Sequence, residues 1–530
     1  MNPSLVTPQE KNDKASDVPS HRDANISIAQ ARPLLTSVAP KCGWRRLLQD
    51  SMTVGGATAI GQVLGAMTAV LLRALMSPVQ VGIWQGLKLA LSYGNYAGLG
   101  VSKAVAREVS LSSGGSASAS LRQRINLAFS VNTLMSVAYA IALIVVAVVL
   151  AVNGTQLAWQ WSIGLVAIAV LAILQRFVTF RVTLMRAEHQ VKSTSLLSLQ
   201  EAVITLLATA VCVWLWGLVG LYVSTALVML ASCWFLHLRH NHRFRFAWHT
   251  SEIASLIRVG GPLLAAGVMS SLFRSLDKIV LLTTASDGEF QLGCYSTALL
   301  VAAQLFGLAN IFGSVCGPRL AQSFGQTNDH ISVARLNLRL VELMALGLAL
   351  PAALAITAGP WLLGLLLPDY RAGLPALVPM TWGTVALGLA MPCQHCHVAW
   401  NRGRTLLVAL TCATVCAIVL NVFAVMLGGG MYRIAIATMV TYGLYFAVLA
   451  WLTIRIVPLA ELRARIIGAA IALSPIVLAT TLAYAGVATE AVGVGISSVV
   501  ALGCWGAVLW YGWRRQGWRD IFTRPGADKN

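Results

Sequence analysis

Long apolar runs alternate with short polar connections from residue 51 almost to the C-terminus. The first run, Ser51 to about Met76, turns at Ser77-Pro78 into a second that begins at Gly82-Ile83-Trp84 and ends at Lys103-Ala-Val-Ala-Arg107-Glu108. Others follow at about 127–152, 159–182, 195–216, 218–238, 256–282, 292–317, 338–358, 375–399, 406–427, 434–456, 466–487 and 491–510. A helix needs roughly 20 residues, each rising about 1.5 Å, to cross a hydrocarbon core about 30 Å thick. The pattern therefore predicts about fourteen transmembrane helices. Small residues four apart, Gly61/Gly65 and Gly94/Gly98, predict close helix crossings.

The basic residues sort by side. If the chain enters the membrane from the inside, the inner segments hold Lys41, Arg45 and Arg46, then Lys103, Arg107, Arg122 and Arg124, then Arg186, Lys192, Arg239, Arg243 and Arg245. They continue with Arg319, Arg335, Arg339, Arg402, Arg404, Arg455, Arg463, Arg465, Arg514, Arg515 and Arg519. The outer connections hold Arg371 and Arg433 beside Asp287, Glu289, Asp369 and Glu490. Cytoplasmic loops concentrate Lys and Arg, so both termini are expected in the cytoplasm. Trp159, Trp161, Trp214 and Trp216 fall at the expected outer boundary, as an aromatic belt requires. Ile456–Arg465 and the stretch around Trp513–Arg519 are expected to lie along the membrane surface.

An internal repeat predicts the architecture. Gly55-Gly56, Arg73, Gly82-Ile-Trp84 and Arg107-Glu108 are echoed by Gly260-Gly261-Pro262, Leu276-Asp277-Lys278, Gly293-Cys-Tyr295 and Gly317-Pro-Arg319. Six helices separate the copies. An even offset preserves orientation, so the repeat is parallel, about an axis along the membrane normal. The expected fold is an all-α polytopic membrane protein with two six-helix lobes, 45–240 and 241–456, related by a parallel pseudo-twofold. Accessory helices at 457–513 follow, and polar tails, 1–44 and 514–530, flank the whole.

Composition agrees. Of 530 residues, 57% are hydrophobic and 11% charged, which excludes an ordinary soluble protein. A net charge of +19 would suggest nucleic acid in a soluble chain. Here it lines the loops of one side, and no nucleic-acid partner is expected. The first 50 residues are polar and carry no secretory signal. Most cysteines, such as Cys212, Cys233, Cys412 and Cys416, lie in apolar runs, which suits small buried side chains rather than disulfides. Cys393-Gln-His-Cys396-His397 matches the C-x-x-C-H pattern of haem attachment. It sits at a run's expected cytoplasmic end without further ligands nearby, so no cofactor and no metal are expected.

The candidate chemistry lies in charges inside the apolar runs. Lys88 falls about 13 Å below the Pro78 turn, near the midplane, where a basic residue costs roughly 2.5–3.5 kcal/mol. Such a charge needs a wet cavity or a counter-charge; a snorkelling lysine is the alternative. Arg274, Asp277 and Lys278 stand at i, i+3 and i+4 and share one helix face, which keeps a net positive charge. Arg176 and Glu201 occupy consecutive helices and could pair, either as a register-fixing salt bridge or as a moving one. Arg73, Arg181 and Arg258 lie nearer the interfaces. A cleft lined by Lys and Arg suits an anionic cargo, and the arginine fork suits phosphate oxygens.

Val70-Leu-Leu-Arg73-Ala-Leu-Met-Ser-Pro78-Val-Gln-Val-Gly82-Ile-Trp84, with Gly98-Leu-Gly-Val-Ser-Lys-Ala-Val-Ala-Arg107-Glu-Val, resembles the Wzx-type polysaccharide biosynthesis flippases. These belong to the multidrug/oligosaccharidyl-lipid/polysaccharide exporter superfamily. Leu276-Asp277-Lys278, Gly293-Cys-Tyr295-Ser and Gly317-Pro-Arg319-Leu look like their second lobe. The resemblance covers about residues 45–456. It implies a bacterial inner membrane, a cationic lumen, and the flipping of an undecaprenyl-diphosphate-linked oligosaccharide by alternating access. Lys88, Arg274, Lys278, Arg73 and Arg176 would then meet the anion, with Asp277 and Glu201 as ion-coupling candidates. The implied partners are the lipid-linked oligosaccharide, the bilayer and other polysaccharide assembly proteins. A drug or metabolite exporter, or a peptidoglycan-precursor flippase, of the same superfamily is the alternative. A membrane polymerase or ligase is more remote: the outer loops are short and carry no nucleophile–base or metal motif, so an enzyme is not expected.

Overall fold

The computed structural model describes residues 44–111, 119–152, 154, 156–188, 190–239, 244–428, 430–485 and 491–514. The polar tails expected at 1–44 and 514–530 fall almost wholly outside this range. Two units divide the chain, 1–53 and 54–530. In the first, the described residues are the opening turns of a helix; everything below concerns the second.

The described residues form sixteen α-helices and no strand. In chain order they are α1 (Trp44–Leu75), α2 (Pro78–Gly94), α3 (Val101–Leu111), α4 (Ala119–Val152), α5 (Gln156–Ala187) and α6 (Val191–Arg239). Next come α7 (Thr250–Phe273), α8 (Leu276–Thr284), α9 (Gly288–Thr327), α10 (His330–Thr357) and α11 (Gly359–Leu366). A 3-10 turn, Pro368–Ala376, leads to α12 (Leu377–Ala399), α13 (Gly403–Met426), α14 (Met431–Ile454), α15 (Leu459–Tyr484) and α16 (Ala491–Arg514).

Among the described residues twelve helices are long and apolar enough to cross a membrane. Two refinements recover the fourteen read from the sequence. First, α6 reverses at Gly217, whose φ of 56° and ψ of −127° are non-helical. Its arms run back on each other: Ser232 donates to Glu201 at 2.8 Å, and Gly220 packs on the Cys212 carbonyl. Second, α2 and α3 form one span interrupted at 95–100, where Leu99 and Gly100 take positive φ of 49° and 80°. The span formed by α7 and α8 breaks likewise, at Arg274–Ser275. The apolar pattern runs straight through both breaks, because hydropathy is blind to backbone torsions.

Local chemistry sets the helix starts. Ser77 and Gln80 form a reciprocal capping box ahead of Pro78, which holds the first helical position of α2 where no amide donor is required. Asp329 caps α10 by accepting from the Ile331 and Ser332 amides at 2.9 and 3.0 Å.

The repeat appears as a reciprocal contact between α2 and α9. Gly82 lies against the backbone of Glu289, and Gly293 lies against the backbone of Pro78. The partners are equally spaced along the chain, 78 to 289 and 82 to 293, so each copy of the motif supplies one glycine and one backbone surface. A side chain at either glycine would collide with main chain. At the interruption of the same span Gly100 and Gly260 meet backbone to backbone, each with the other's carbonyl where a side chain would stand.

The accessory helices are bolted to the C-terminal half. Arg465 of α15 pairs with Glu342 of α10 at 3.0 Å, Trp382 of α12 donates to Thr480 at 2.9 Å, and Trp505 of α16 donates to the Leu346 carbonyl at 3.0 Å. Of the stretch Ile456–Arg465, the residues from Leu459 on already belong to α15, and Arg465 faces Glu342. Trp513 and Arg514 lie in α16, and the rest of the second such stretch lies outside the described residues.

Candidate functional site

The charges singled out in the sequence gather around α1, α2, α5 and the α7–α9 segment. On α2, Ile83, Trp84, Leu87 and Leu91 are buried, while Lys88 is exposed. Among the described residues no hydrogen bond or ion pair engages its ammonium.

Arg73 behaves differently. It is only 4% exposed, and each of its three guanidinium nitrogens donates a hydrogen bond. Nε donates to Ser296 Oγ at 3.0 Å, one terminal nitrogen to the Ser296 carbonyl at 2.8 Å, and the other to the Ala69 carbonyl at 2.6 Å. The side chain ties α1 to α9. Nearby, Tyr370 donates to the Met76 carbonyl at 2.8 Å, bringing the 3-10 turn to the same end of α1.

Arg176, on α5, serves the break in the second span. It donates to the Asn95 carbonyl at the end of α2 and crowds Gly98, with Asn132 beside it. Carbonyls released where a helix stops carry partial negative charge and need donors, which a guanidinium supplies. Its Nε has no partner. Glu201 accepts instead from Ser232 on the facing arm of α6. No ion pair joins Arg176 to Glu201, so the pairing the sequence allowed is not made; each is drawn to a partner on its other side.

Arg274, Asp277 and Lys278 do share one region, but with separate roles. Asp277 is 2% exposed, receives Tyr295 Oη at 3.0 Å and pairs with Lys278 Nζ at 3.2 Å. Lys278 also donates to the Arg274 carbonyl at 2.7 Å, tying down the break between α7 and α8. Arg274 is exposed, lies 5.4 Å over the Phe306 ring and donates to the Ser270 carbonyl. Ser275 and Tyr93 share a 2.6 Å hydrogen bond from α2 to the same break. Of Lys88, Arg73, Arg176, Arg274 and Lys278, Lys88 and Arg274 are the two that are exposed.

Several contributors carried no role in the sequence reading. Tyr295 and Ser296 were visible as part of the second repeat motif, but their partners stand far away in sequence. Trp161, expected in the aromatic belt, instead inserts its ring beside Gly86 and donates to Glu289 at 3.0 Å. Trp159, Trp214 and Trp216 are exposed. Cys393 and Cys396 are buried on α12, where Cys393 accepts from Asn337 and His397 meets Thr453 at 3.5 Å. Among the described residues no three His, Cys, Asp or Glu side chains converge as a metal would require.

This helical arrangement is that of the MOP-superfamily transporters. A lipid II flippase, MurJ, in an inward closed conformation aligns with a TM-score of 0.63 at 11% identity, covering 87% of this chain and 98% of that one. An inward-facing multidrug resistance MATE family transporter of the MOP superfamily aligns at 0.54 and 15% identity, covering 76% and 93%. A MATE transporter of Vibrio cholerae aligns at 0.51 and 13%, covering 78% and 96%. At these identities the likeness is one of fold. Among curated proteins no sequence match is found. The family model described as polysaccharide biosynthesis protein matches residues 47–324, and the chain belongs to that family. It is a multi-pass membrane protein with a transporter fold.

Proposed function

We propose that the protein flips a lipid-linked oligosaccharide, its lipid an undecaprenyl diphosphate, across the bacterial inner membrane by alternating access. Both termini are then cytoplasmic and the Ser77–Pro78 turn faces outward. The N-terminal lobe spans 45–240, the C-terminal lobe 241–456, and 457–513 is accessory.

The observation that carries this reading is the Lys88 ammonium, exposed midway along a helix and with no hydrogen bond or ion pair among the described residues. A charge at that depth is costly unless an anion meets it, and a diphosphate headgroup is such an anion. Arg274 would meet the cargo from the other half. Arg73, Arg176 and Lys278 would shape the passage rather than grip the anion, because they are buried or half-buried and hydrogen-bonded, whereas Arg274 is exposed. Asp277 and Glu201 remain the candidate carboxylates for an ion gradient. Family membership supports a glycan cargo, and the fold supports transport over catalysis.

Complementation of a strain lacking its polysaccharide flippase tests the proposal. The wild-type chain should restore surface polysaccharide, Lys88→Ala should cut it at least tenfold at equal membrane abundance, and Lys88→Arg should retain part. Rescue of drug resistance or of peptidoglycan-precursor export instead would assign the chain to one of those cargoes, as the likeness to MATE transporters and MurJ allows.

A further inference from the structure

The contact between α2 and α9 is more than close packing, because a third helix locks it. Gly82 and Gly86 are one turn apart and leave a smooth strip on α2. The backbone of Glu289 sits in the first notch. The Trp161 ring, coming from α5, fills the second beside Leu282 of α8. From that seat the indole Nε1 reaches over and donates to Glu289 Oε1 at 3.0 Å. One tryptophan therefore touches α2 and bonds α9, and the residue it bonds is the one whose main chain rests on Gly82. Nothing in the anion-binding reading uses this pair.

We propose that Trp161 and Glu289 are positioning residues for transport: their hydrogen bond latches the outer gate. The inference rests on the alternating-access reading for its orientation. Backbone seated on glycine gives a snug but featureless contact, held by dispersion and readily parted. A charge-assisted hydrogen bond in a partly buried site adds direction and a definite closed register. Opening the outer side must lift Glu289 off Gly82, and the indole N–H must let go in the same movement. The latch thus biases the equilibrium between closed and outward-open forms without touching cargo. By symmetry Gly293 and Pro78 make the matching backbone contact; the tryptophan bond gives one side of the crossing an extra hold.

Spin labels carried on noncanonical residues at Gln160 of α5 and at Asp369 in the 3-10 turn, both exposed, report the gap between the halves at this end. In the purified full chain, Glu289→Ala leaves the indole seated beside Gly86 and removes only the acceptor. It should raise the ratio of long to short distances about tenfold, the scale of one charge-assisted hydrogen bond. Trp161→Phe, which loses the donor together with the outer ring atoms that reach Gly86, should open at least as far, and Glu289→Gln, which keeps an acceptor, should resemble wild type. The double variant Trp161→Phe/Glu289→Ala should open no further than Trp161→Phe alone. Unchanged distances in both single variants, or additive opening in the double, would overturn the latch. The distance readout needs no cargo, so a failed polysaccharide complementation bears on the cargo assignment and leaves the latch to be judged by the distances.

Discussion

Tyr295 on α9 donates a 3.0 Å hydrogen bond to Asp277 on α8, and neither side chain reaches solvent. The carboxylate has Lys278 as its other partner, at 3.2 Å. A buried carboxylate held by one cation and one hydroxyl is stable only while both remain, since an unmatched buried charge costs more than the pair gains.

Tyr295→Phe should therefore destabilise the protein by about 1.5–3 kcal/mol, the range for a hydrogen bond to a charged group. Thermal unfolding in detergent measures this. Asp277→Asn should cost less than Asp277→Ala, because the amide still accepts from Tyr295. Equal losses in those two variants would show that the hydroxyl bond contributes little.

Arg73 is expected to act through structure. Arg73→Lys keeps the charge but cannot reproduce the fork that spans Ser296 Oγ, the Ser296 carbonyl and the Ala69 carbonyl. A loss of about 2–3 kcal/mol should follow from these broken bonds. Lys88→Gln should leave stability unchanged or slightly improved, since it removes an unpaired charge. A denaturation series on the two variants separates the roles.

Gly100 and Gly61 provide a paired test of backbone contact. Gly100 has a φ of 80° and meets the Gly260 main chain, whereas Gly61 has open space around it. Gly100→Ala should lower stability by about 2–4 kcal/mol through strain and overpacking together. Gly61→Ala should change it by less than about 0.5 kcal/mol, as surface substitutions do. Matching losses would mean that the α3–α7 contact is not as tight as described.

Asp329, outside the spanning segments, supplies a pH dependence. The Ser332 hydroxyl, followed by the Ile331 and Ser332 amides, holds its carboxyl below the ordinary value of 3.8. A depressed folded-state value contributes stability that is present above about 3.8 and fades as pH falls through the lower, folded value. Asp329→Asn keeps the cap and should remove that contribution to the acid side of the stability profile. Hydrogen exchange at the first turn of α10, compared at neutral and acid pH, reads it directly.

What the sequence determined by itself is what depends on solvent averaging along the chain. Apolar runs of spanning length fixed an all-helical membrane protein, Gly82 and Gly293 marked the repeat, and the midplane position of Lys88 marked a charge in need of a partner, because burial of a charge in hydrocarbon is costly wherever the fold puts it. Tertiary structure decided which charges are spent. Arg73, Arg176, Arg274 and Lys278 look alike as letters in apolar runs. The difference between them lies in Ser296, the Asn95 carbonyl, the Phe306 ring and Asp277, contacts set by helix crossings and by breaks at Gly100 and Ser275. A hydrogen bond depends on angstroms between residues that can be hundreds of positions apart, and linear hydropathy carries no such distance.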